Sequence, residues 1–470
     1  MKNPKKTEIR TNHNLFSLML SSLILLFSCE QSGSEEKDGW KPLFNEKDLT
    51  GWKTVMGAAE FEIEDGMIVG YAKANTPNTF LVTEKEYSDF ILELDLKIED
   101  LSSNSGVMVR GQYDADARDG SGLVFGYQIE ADPTERAWSG GLYDEARRGW
   151  LYPLDLNPEA KSAFKMNEWN TYRIEAIGNE IKTWINGKEV SYVLDDMDSK
   201  GHIGLQVHSI NNAADEGNKT YFRNIRVKTE NLDPKPFKGD VFVVSTLKNK
   251  LADLEKEKGW RLLFNGENSD GWKAAYKEEF PSDGWVVNDG ILTIKASDGS
   301  ESMTYGDIVT EEKFSAFDLA FDFKFTEGAN SGVKYFVTLG ENNVGSAIGL
   351  EYQILDDKNH PDAKMGRDGN RTLASLYDLI TADKNPRFVK GPGEWNKGRL
   401  VVKPDNTVTH YLNGVKVLEY KRGSEEFREK VAQSKYKIWE NFGEAEEGHL
   451  LLQDHGDEVH FKNIKIKTLN

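Results

Sequence analysis

Phe90-Ile91-Leu92-Glu93-Leu94-Asp95-Leu96-Lys97-Ile98 sets the period on which the rest of the chain is read. From Leu92 onward apolar and charged side chains alternate one for one, as in a strand with one face buried and the other wet. A helix would instead space its apolar residues three and four apart. Phe317-Asp318-Leu319-Ala320-Phe321-Asp322-Phe323-Lys324-Phe325 is a second stretch of the same kind. Similar short runs fill the sequence between turn signals. Asn186-Gly187 and Asn413-Gly414 lie between apolar runs and predict type I′ hairpin turns, and Glu64-Asp65-Gly66 and Asn288-Asp289-Gly290 mark another shared turn. Many short strands with few helical periods predict an all-β chain built as jelly-roll β-sandwiches.

The two strands belong to a longer repeat. Gly39-Trp40-Lys41-Pro42-Leu43-Phe44-Asn45 returns as Gly259-Trp260-Arg261-Leu262-Leu263-Phe264-Asn265, and Asn104-Ser105-Gly106-Val107 as Asn330-Ser331-Gly332-Val333. Tyr127-Gln128-Ile129 returns as Tyr352-Gln353-Ile354, Leu142-Tyr143-Asp144 as Leu376-Tyr377-Asp378, and Glu168-Trp169-Asn170 as Glu394-Trp395-Asn396. Phe222-Arg223-Asn224-Ile225 and Phe461-Lys462-Asn463-Ile464 close the copies. A period of roughly 220 to 250 residues is far longer than a solenoid unit, so each copy is a domain in its own right. The expected domains are 39–230 and 259–470. In the linker, 231–258, Pro234 and Pro236 end the last strand, and a helical pattern then starts at Ser245 with Leu247, Leu251 and Leu254 on one face.

With 29% charged residues and a mean hydropathy of -0.60, the composition excludes a membrane-spanning bundle. A net charge of -19 argues against neutralising nucleic-acid phosphates and is compatible with a neutral ligand such as a sugar. At the start, Lys2, Lys5, Lys6 and Arg10 precede an apolar run from Leu15 to Phe27, and Leu26-Phe27-Ser28-Cys29 closes it. A basic start, a short apolar run and a small-residue close predict an export signal over 1–28. Cys29, the single cysteine, stands where a lipoprotein signal places its acylated residue, and the pattern resembles a bacterial lipobox. Residues 29–38 would then be an acidic tether, with the chain lipid-anchored in a bacterial cell envelope, periplasmic or at the cell surface.

Strand alternation also sorts candidate functional residues by face. Glu351 and Gln353 share a face opposite Tyr352 and Ile354, while Gln128 and Glu130 share one opposite Tyr127 and Ile129. Arg110 and Lys334 fall on the equivalent face of the strand after Asn-Ser-Gly, two positions out of step. Gln206 and His208, and Gln453 and His455, add an amide and an imidazole to each copy. A merely solvated sandwich face would also be polar. Two long charged loops favour a site instead. They make Tyr143, Asp144, Arg148 and Trp150 substrate-contact candidates in the first copy, and His360, Asp357, Arg367, Tyr377 and Asp378 site candidates in the second. No HExxH or tight Cys/His cluster occurs, and no cofactor is implied. His449 and His455 with Asp454 or Asp457 are the residues that would take a divalent cation.

Both copies resemble the 3-keto-disaccharide hydrolase domain, a family with a concanavalin-like jelly-roll fold. The resemblance rests on the opening Gly-Trp-x-x-Leu-Phe-Asn, the Asn-Ser-Gly strand, Glu351-Tyr352-Gln353-Ile354, His360-Pro361-Asp362-Ala363, the Leu-Tyr-Asp turn and the closing Phe-x-Asn-Ile. The first copy departs from it, with Gly126 aligned to Glu351 and no histidine in the loop. The resemblance implies cleavage of glycosides already oxidised at C3. A C3 ketone acidifies the C2 proton, so a base that removes it lets the enolate expel the C1 substituent, after which water adds. Such a site needs a base, for which Glu351 or His455 is suited. It also needs a cation facing the enolate oxygen, Lys334, and an acid for the leaving group, Tyr377 or His360. Gln353, Gln453, Gln128, Glu130, Arg110 and His208 join the loop residues as expected substrate contacts. Two other readings remain open: a non-catalytic carbohydrate-binding tandem, and a conventional two-carboxylate glycosidase. Glu93 and Asp95 faintly resemble the acidic strand of such glycosidases, but Ala320 takes the place of Glu93 in the second copy.

Overall fold

Leu92, Leu94 and Leu96 turn into a core, and Glu93 and Asp95 turn outward, where arginines on neighbouring strands meet them. Arg173 and Arg226 donate to Glu93 at 2.8 and 2.6 Å, and Asp95 accepts from Arg223 and Asn224. The acidic strand is thus an ion-paired sheet surface. The computed structural model describes Met1 and residues 38–297, 304–340 and 347–470; the export signal and Cys29 lie outside the described residues.

The chain is almost entirely β, with two pairs of sheets formed by residues 40–245 and 260–468. In the first pair, a nine-stranded sheet with Phe90–Ile98 near its middle faces a seven-stranded one ordered Gly149–Tyr152, Leu142–Glu145, Leu123–Ala131, Ser105–Asp114, Gly201–Val207, Thr79–Tyr87, Trp52–Met56. In the second pair, an eight-stranded sheet around Phe317–Phe325 faces a five-stranded one ordered Trp272–Ala274, Ile308–Phe314, Gly448–Leu452, Asn330–Thr338, Ile348–Leu355. Sheet neighbours run antiparallel, apart from the linker strand described below. Each pair encloses its own apolar core, as a β-sandwich does.

The repeated motifs adopt repeated geometry. Asn186-Gly187 and Asn413-Gly414 have φ of 51° and 78°, and 50° and 82°, the paired positive values of a type I′ turn. Each asparagine side chain also reaches back to a buried asparagine, Asn170 or Asn396. Trp52 and Trp272 each donate their indole N–H at 2.7 Å to the carbonyl of the leucine nine residues earlier.

The linker differs from its expected form. Its helix covers only Asp253–Glu257, because Val244–Ser245 is drawn into the first nine-stranded sheet as an edge strand parallel to Lys188–Leu194. Lys397 and Lys465 of the second half donate to the Ser245 and Val243 carbonyls at 2.9 and 2.8 Å. Phe242 lies 4.1 Å from the Arg399 guanidinium. The outward face of Phe317–Phe325 is therefore covered: Asp318 and Asp322 are buried and paired with Arg399 and Lys397. Residues 39–470 form one compact unit.

Candidate active site

In the strand Ile348–Leu355, Leu350, Tyr352 and Ile354 pack into the core, which directs Glu351 and Gln353 to the opposite face. On the adjacent strand Asn330–Thr338, Val333 and Tyr335 face the core and Lys334 does not. Lys334 stands directly across the ladder from Glu351, and Gly332 across from Gln353. The glycine has a local cause, since a Cβ there would lie 2.3 Å from Glu351 Oε1. Bare backbone at Gly332 lets the carboxylate lie across the neighbouring strand. Turned to face acceptors, the Gln353 amide nitrogen donates to Glu351 Oε1 at 3.1 Å and to the Ser331 carbonyl at 2.9 Å. The base candidate is thereby held from the side.

These residues line a cleft of about 360 Å³ together with Asn330, Tyr377, Gln453, His455, Lys435, Tyr436 and Trp439. Asn330 Nδ2 lies 3.3 Å from His455 Nε2, and the ring of His360 stands 6.4 Å from that of His455, nearly perpendicular to it. His360 Nδ1 accepts from the Asp362 N–H at 3.1 Å, which leaves its proton on Nε2. Behind Lys334 lies Asp307, buried and accepting from the Asp454 N–H. Burial pushes the Asp307 carboxyl up to about 6, with the Lys334 charge opposing. Lys435 has its ammonium 4.2 Å from the centre of the Tyr377 ring. Burial lowers its pKa and the Glu351 carboxylate opposes that shift. Two cations and one carboxylate thus converge in the cleft, and Lys334 and Glu351 are buried, where charge interactions are stronger than in water.

Tyr377 is placed differently from a proton donor to substrate. Its hydroxyl already donates to Asp362 at 2.8 Å, and burial together with that bond raises its pKa well above the ordinary value. Arg371 bridges Asp362 and Asp378 at 2.8 and 2.7 Å, and Asp378 in turn accepts from the Lys435 backbone N–H at 2.7 Å. Asp378 therefore positions the wall that carries Lys435 and is not itself a substrate contact. Asp357 pairs with Lys384 and accepts from the Leu373 N–H. Arg367 reaches Gln433 on the exposed surface. Neither lines the cleft: Asp357 closes its own loop, and Arg367 is drawn to Gln433 at the end of the helix Glu425–Ala432. Lys435, Tyr436 and Trp439 are additions that the sequence motifs did not mark. They come from the stretch between Lys421 and Gly448, far longer than its counterpart between Leu194 and Gly201. That length difference was their only sequence signal.

The first half has a cleft of about 350 Å³ in the corresponding place, lined by Asn104, Gln128, Glu130, Tyr143, Trp150 and His208 among others. Its register corrects the motif alignment. Gln128 stands across from Met108, and Glu130 across from Gly106. Next along, Gln128 pairs with Tyr143, whereas Glu351 accepts through its carbonyl from the Tyr377 N–H. By position in the sheet, Gln128 thus corresponds to Glu351 and Glu130 to Gln353, so the shared Tyr-Gln-Ile is offset by two residues. Met108, not Arg110, takes the place of Lys334. Arg110 sits in a bulge at φ 51°, buried and bonded to the Ser88, Gly178 and Asp198 carbonyls and to Asp89. That makes it structural. Asp144 is held by Arg147 and Arg148, and Arg148 also pairs with Asp195, so neither Asp144 nor Arg148 lines this cleft.

Among the described residues no group of three or more His, Cys, Asp or Glu is arranged to hold a metal ion. His449 bonds the Thr310 carbonyl, Asp454 accepts from the Tyr305 and Gly306 N–H groups, and Asp457 accepts from the Asn330 N–H. A family model described as the 3-keto-alpha-glucoside-1,2-lyase-like domain matches residues 39–228 and 259–467. A 3-keto-disaccharide hydrolase of Bacteroides thetaiotaomicron is 37% identical over 233 residues, 45% of this chain and 79% of that protein. Two solved structures from Parabacteroides distasonis, provisionally assigned as glycosyl hydrolases, are also similar. One is 32% identical over 47% of this chain and all of its own, with a TM-score of 0.42. The other is 27% identical over 45% of this chain and 99% of its own, with a TM-score of 0.35.

Proposed function

The chain belongs to the 3-keto-alpha-glucoside-1,2-lyase-like domain family, and from that membership we propose that its second half cleaves the glycosidic bond of 3-keto-glycosides. The observation that carries the reading is the facing pair Glu351 and Lys334, set in one cleft with Lys435 and His455. Similarity to a 3-keto-disaccharide hydrolase supports the substrate class.

In this mechanism the Glu351 carboxylate takes the C2 proton, and the C2–H electron pair forms an enolate whose charge rests on the C3 oxygen. Lys334 and Lys435 face that charge, the kind of fixed electrostatic stabilisation that gives the largest rate gains. The enolate then collapses: the C3 carbonyl re-forms, a C1–C2 double bond appears, and the C1–O bond breaks. His455 or His360 supplies the proton to the departing oxygen. Tyr377 is excluded from that role because its proton is committed to Asp362. Water then adds at C1, C2 regains a proton from Glu351, and the water's remaining proton restores the histidine. Atoms and charges balance to hydrolysis. Release of the unsaturated sugar before water adds would make the same steps eliminative.

The two-carboxylate glycosidase lacks support, because Glu93 and Asp95 are committed to arginine pairs on the other sheet. Glu351→Gln should lower turnover of methyl 3-keto-α-D-glucopyranoside by about 10²- to 10⁴-fold, the usual value of a general base. The check is product mass over time, with the unoxidised methyl glucoside alongside. Equal cleavage of both sugars by the wild-type chain would sink the keto-specific mechanism. Binding of the keto sugar with no cleavage by the wild-type chain would leave a carbohydrate-binding module.

A further inference from the structure

We infer that the first half carries a second saccharide site that holds a sugar without cleaving it, and that the second half completes this site with Arg387. The inference rests on reading Glu351 and Lys334 as the turnover pair. At the two positions that matter for proton removal the first half has an amide and a thioether: Gln128 at the place of Glu351, and Met108 at the place of Lys334. Neither can take a proton from carbon at neutral pH, and neither can stabilise an enolate oxygen by charge. The cleft has nonetheless kept its shape. Asn104, Tyr143 and His208 line it as Asn330, Tyr377 and His455 line its counterpart.

What has been added suits a polyhydroxylated ring. Trp150, which lines the cleft, is fixed edge-on against Trp138 and Tyr143, with ring centres 4.7 and 5.2 Å away, and the Arg136 guanidinium stands 5.1 Å from its ring centre; the apolar surface that remains is of the kind on which sugar C–H faces pack. Gln128 is only 2% exposed, yet its Oε1 makes no hydrogen bond among the described residues, and the same is true of Trp150 Nε1. A buried polar atom without a partner calls for one, and a ligand hydroxyl in the cleft would supply it. Glu130, which accepts from Asn104 at 2.6 Å and Gln128 at 3.2 Å, is pushed by burial up to about 7. It can therefore both donate to and accept from a hydroxyl near neutral pH.

Arg387 reaches this cleft from the second half. It lies on the short turn Pro386–Phe388, whose Phe388 ring packs 5.5 Å from Trp138 of the first half. Its guanidinium is exposed and forms no ion pair among the described residues. Arg136, also in the cleft, is instead held by Asp132 at 2.7 Å. Arg387 is therefore the cation left to meet a ligand oxygen, and the site is complete only in the tandem.

Equilibrium dialysis of the full-length Glu351→Gln chain against labelled methyl 3-keto-α-D-glucopyranoside tests this, because that substitution gives the second cleft the amide found in the first. Two sugars should bind per chain. Trp150→Ala and Arg387→Ala, each added to Glu351→Gln, should remove or weaken at least tenfold one of the two. The exposed Arg387 serves if Trp150→Ala fails to fold. A stoichiometry of one, insensitive to Arg387→Ala, would overturn the inference. So would turnover that survives in Glu351→Gln and disappears on adding Glu130→Gln, since the first cleft would then be catalytic. If the wild-type chain cleaves no keto sugar, the turnover reading falls, and the stoichiometry still decides whether the first half binds.

Discussion

Glu130 and Glu351 stand two residues out of step on equivalent strands, and their surroundings differ accordingly. Glu351 lies across from a lysine, and Glu130 across from a glycine, with burial as the largest influence on its proton. Burial raises the Glu130 carboxyl from an ordinary 4.5 to about 7, opposed by the Asn104 hydrogen bond and the Arg136 charge. The folded chain therefore holds this proton more tightly than the unfolded chain does. Its contribution to stability is fully present below about 4.5 and is lost as pH rises through about 7. At about 1.4 kcal/mol per pH unit, the loss amounts to about 3.5 kcal/mol. Glu130→Gln removes the titration. Urea denaturation at pH 4.5 and pH 8 should show the wild-type chain losing about 3 kcal/mol more across that interval than the variant. Equal losses would mean that Glu130 is ionised in the folded state throughout.

At the scale of elements, the site depends on two strands approaching at Gly332. Gly332→Ala would place a methyl group 2.3 Å from the present position of Glu351 Oε1, and the carboxylate would have to swing away. A misplaced base of this kind should lower kcat/KM by about 10²-fold, while the thermal midpoint moves little compared with a core substitution. Unchanged kcat/KM would show that the carboxylate position is not critical. The strands themselves were legible, because alternation placed Glu351, Gln353 and Lys334 on one face, and the Asn-Gly pairs formed the turns they predict. Register was not. Tyr127-Gln128-Ile129 and Tyr352-Gln353-Ile354 look equivalent by identity, yet the ladders offset them by two, since a shift of two keeps every side chain on its face. Periodicity is also blind to such bulges as the one at Arg110, which sent that residue into the structure rather than the cleft. Nor could it foresee that Lys435 would arrive from a long insertion. In the linker, the spacing of Leu247, Leu251 and Leu254 fits a helix from Ser245. Pairing of Val244 and Ser245 with Val193 and Leu194 takes the start of that pattern into the sheet, and the helix begins only at Asp253.

At the scale of the whole molecule, duplication has produced one body with unequal halves. The linker adds a strand to one half and caps the outer face of the other, while Arg387 of the second half lines the first half's cleft and Phe388 packs against Trp138. An outward sheet face expected to be wet is consequently buried, with Asp318 and Asp322 neutralised by Arg399 and Lys397. On the proposed mechanism, labour is divided between a second half with a carboxylate and two cations in its cleft and a first half with a corresponding cleft but an amide and a thioether at the matching positions. The central claim is that the second half breaks the glycosidic bond by first removing the proton at C2. Methyl 3-keto-α-D-glucopyranoside carrying deuterium at C2 tests it most directly, by comparing its turnover in ordinary water with that of the unlabelled sugar and following the label by mass. The account predicts slower turnover of the labelled sugar, abolished with turnover in Glu351→Gln, and loss to solvent of whatever deuterium Glu351 exchanges with water before it returns a proton to C2. Cleavage at an unchanged rate, with all the deuterium retained at C2 of the product, would contradict it.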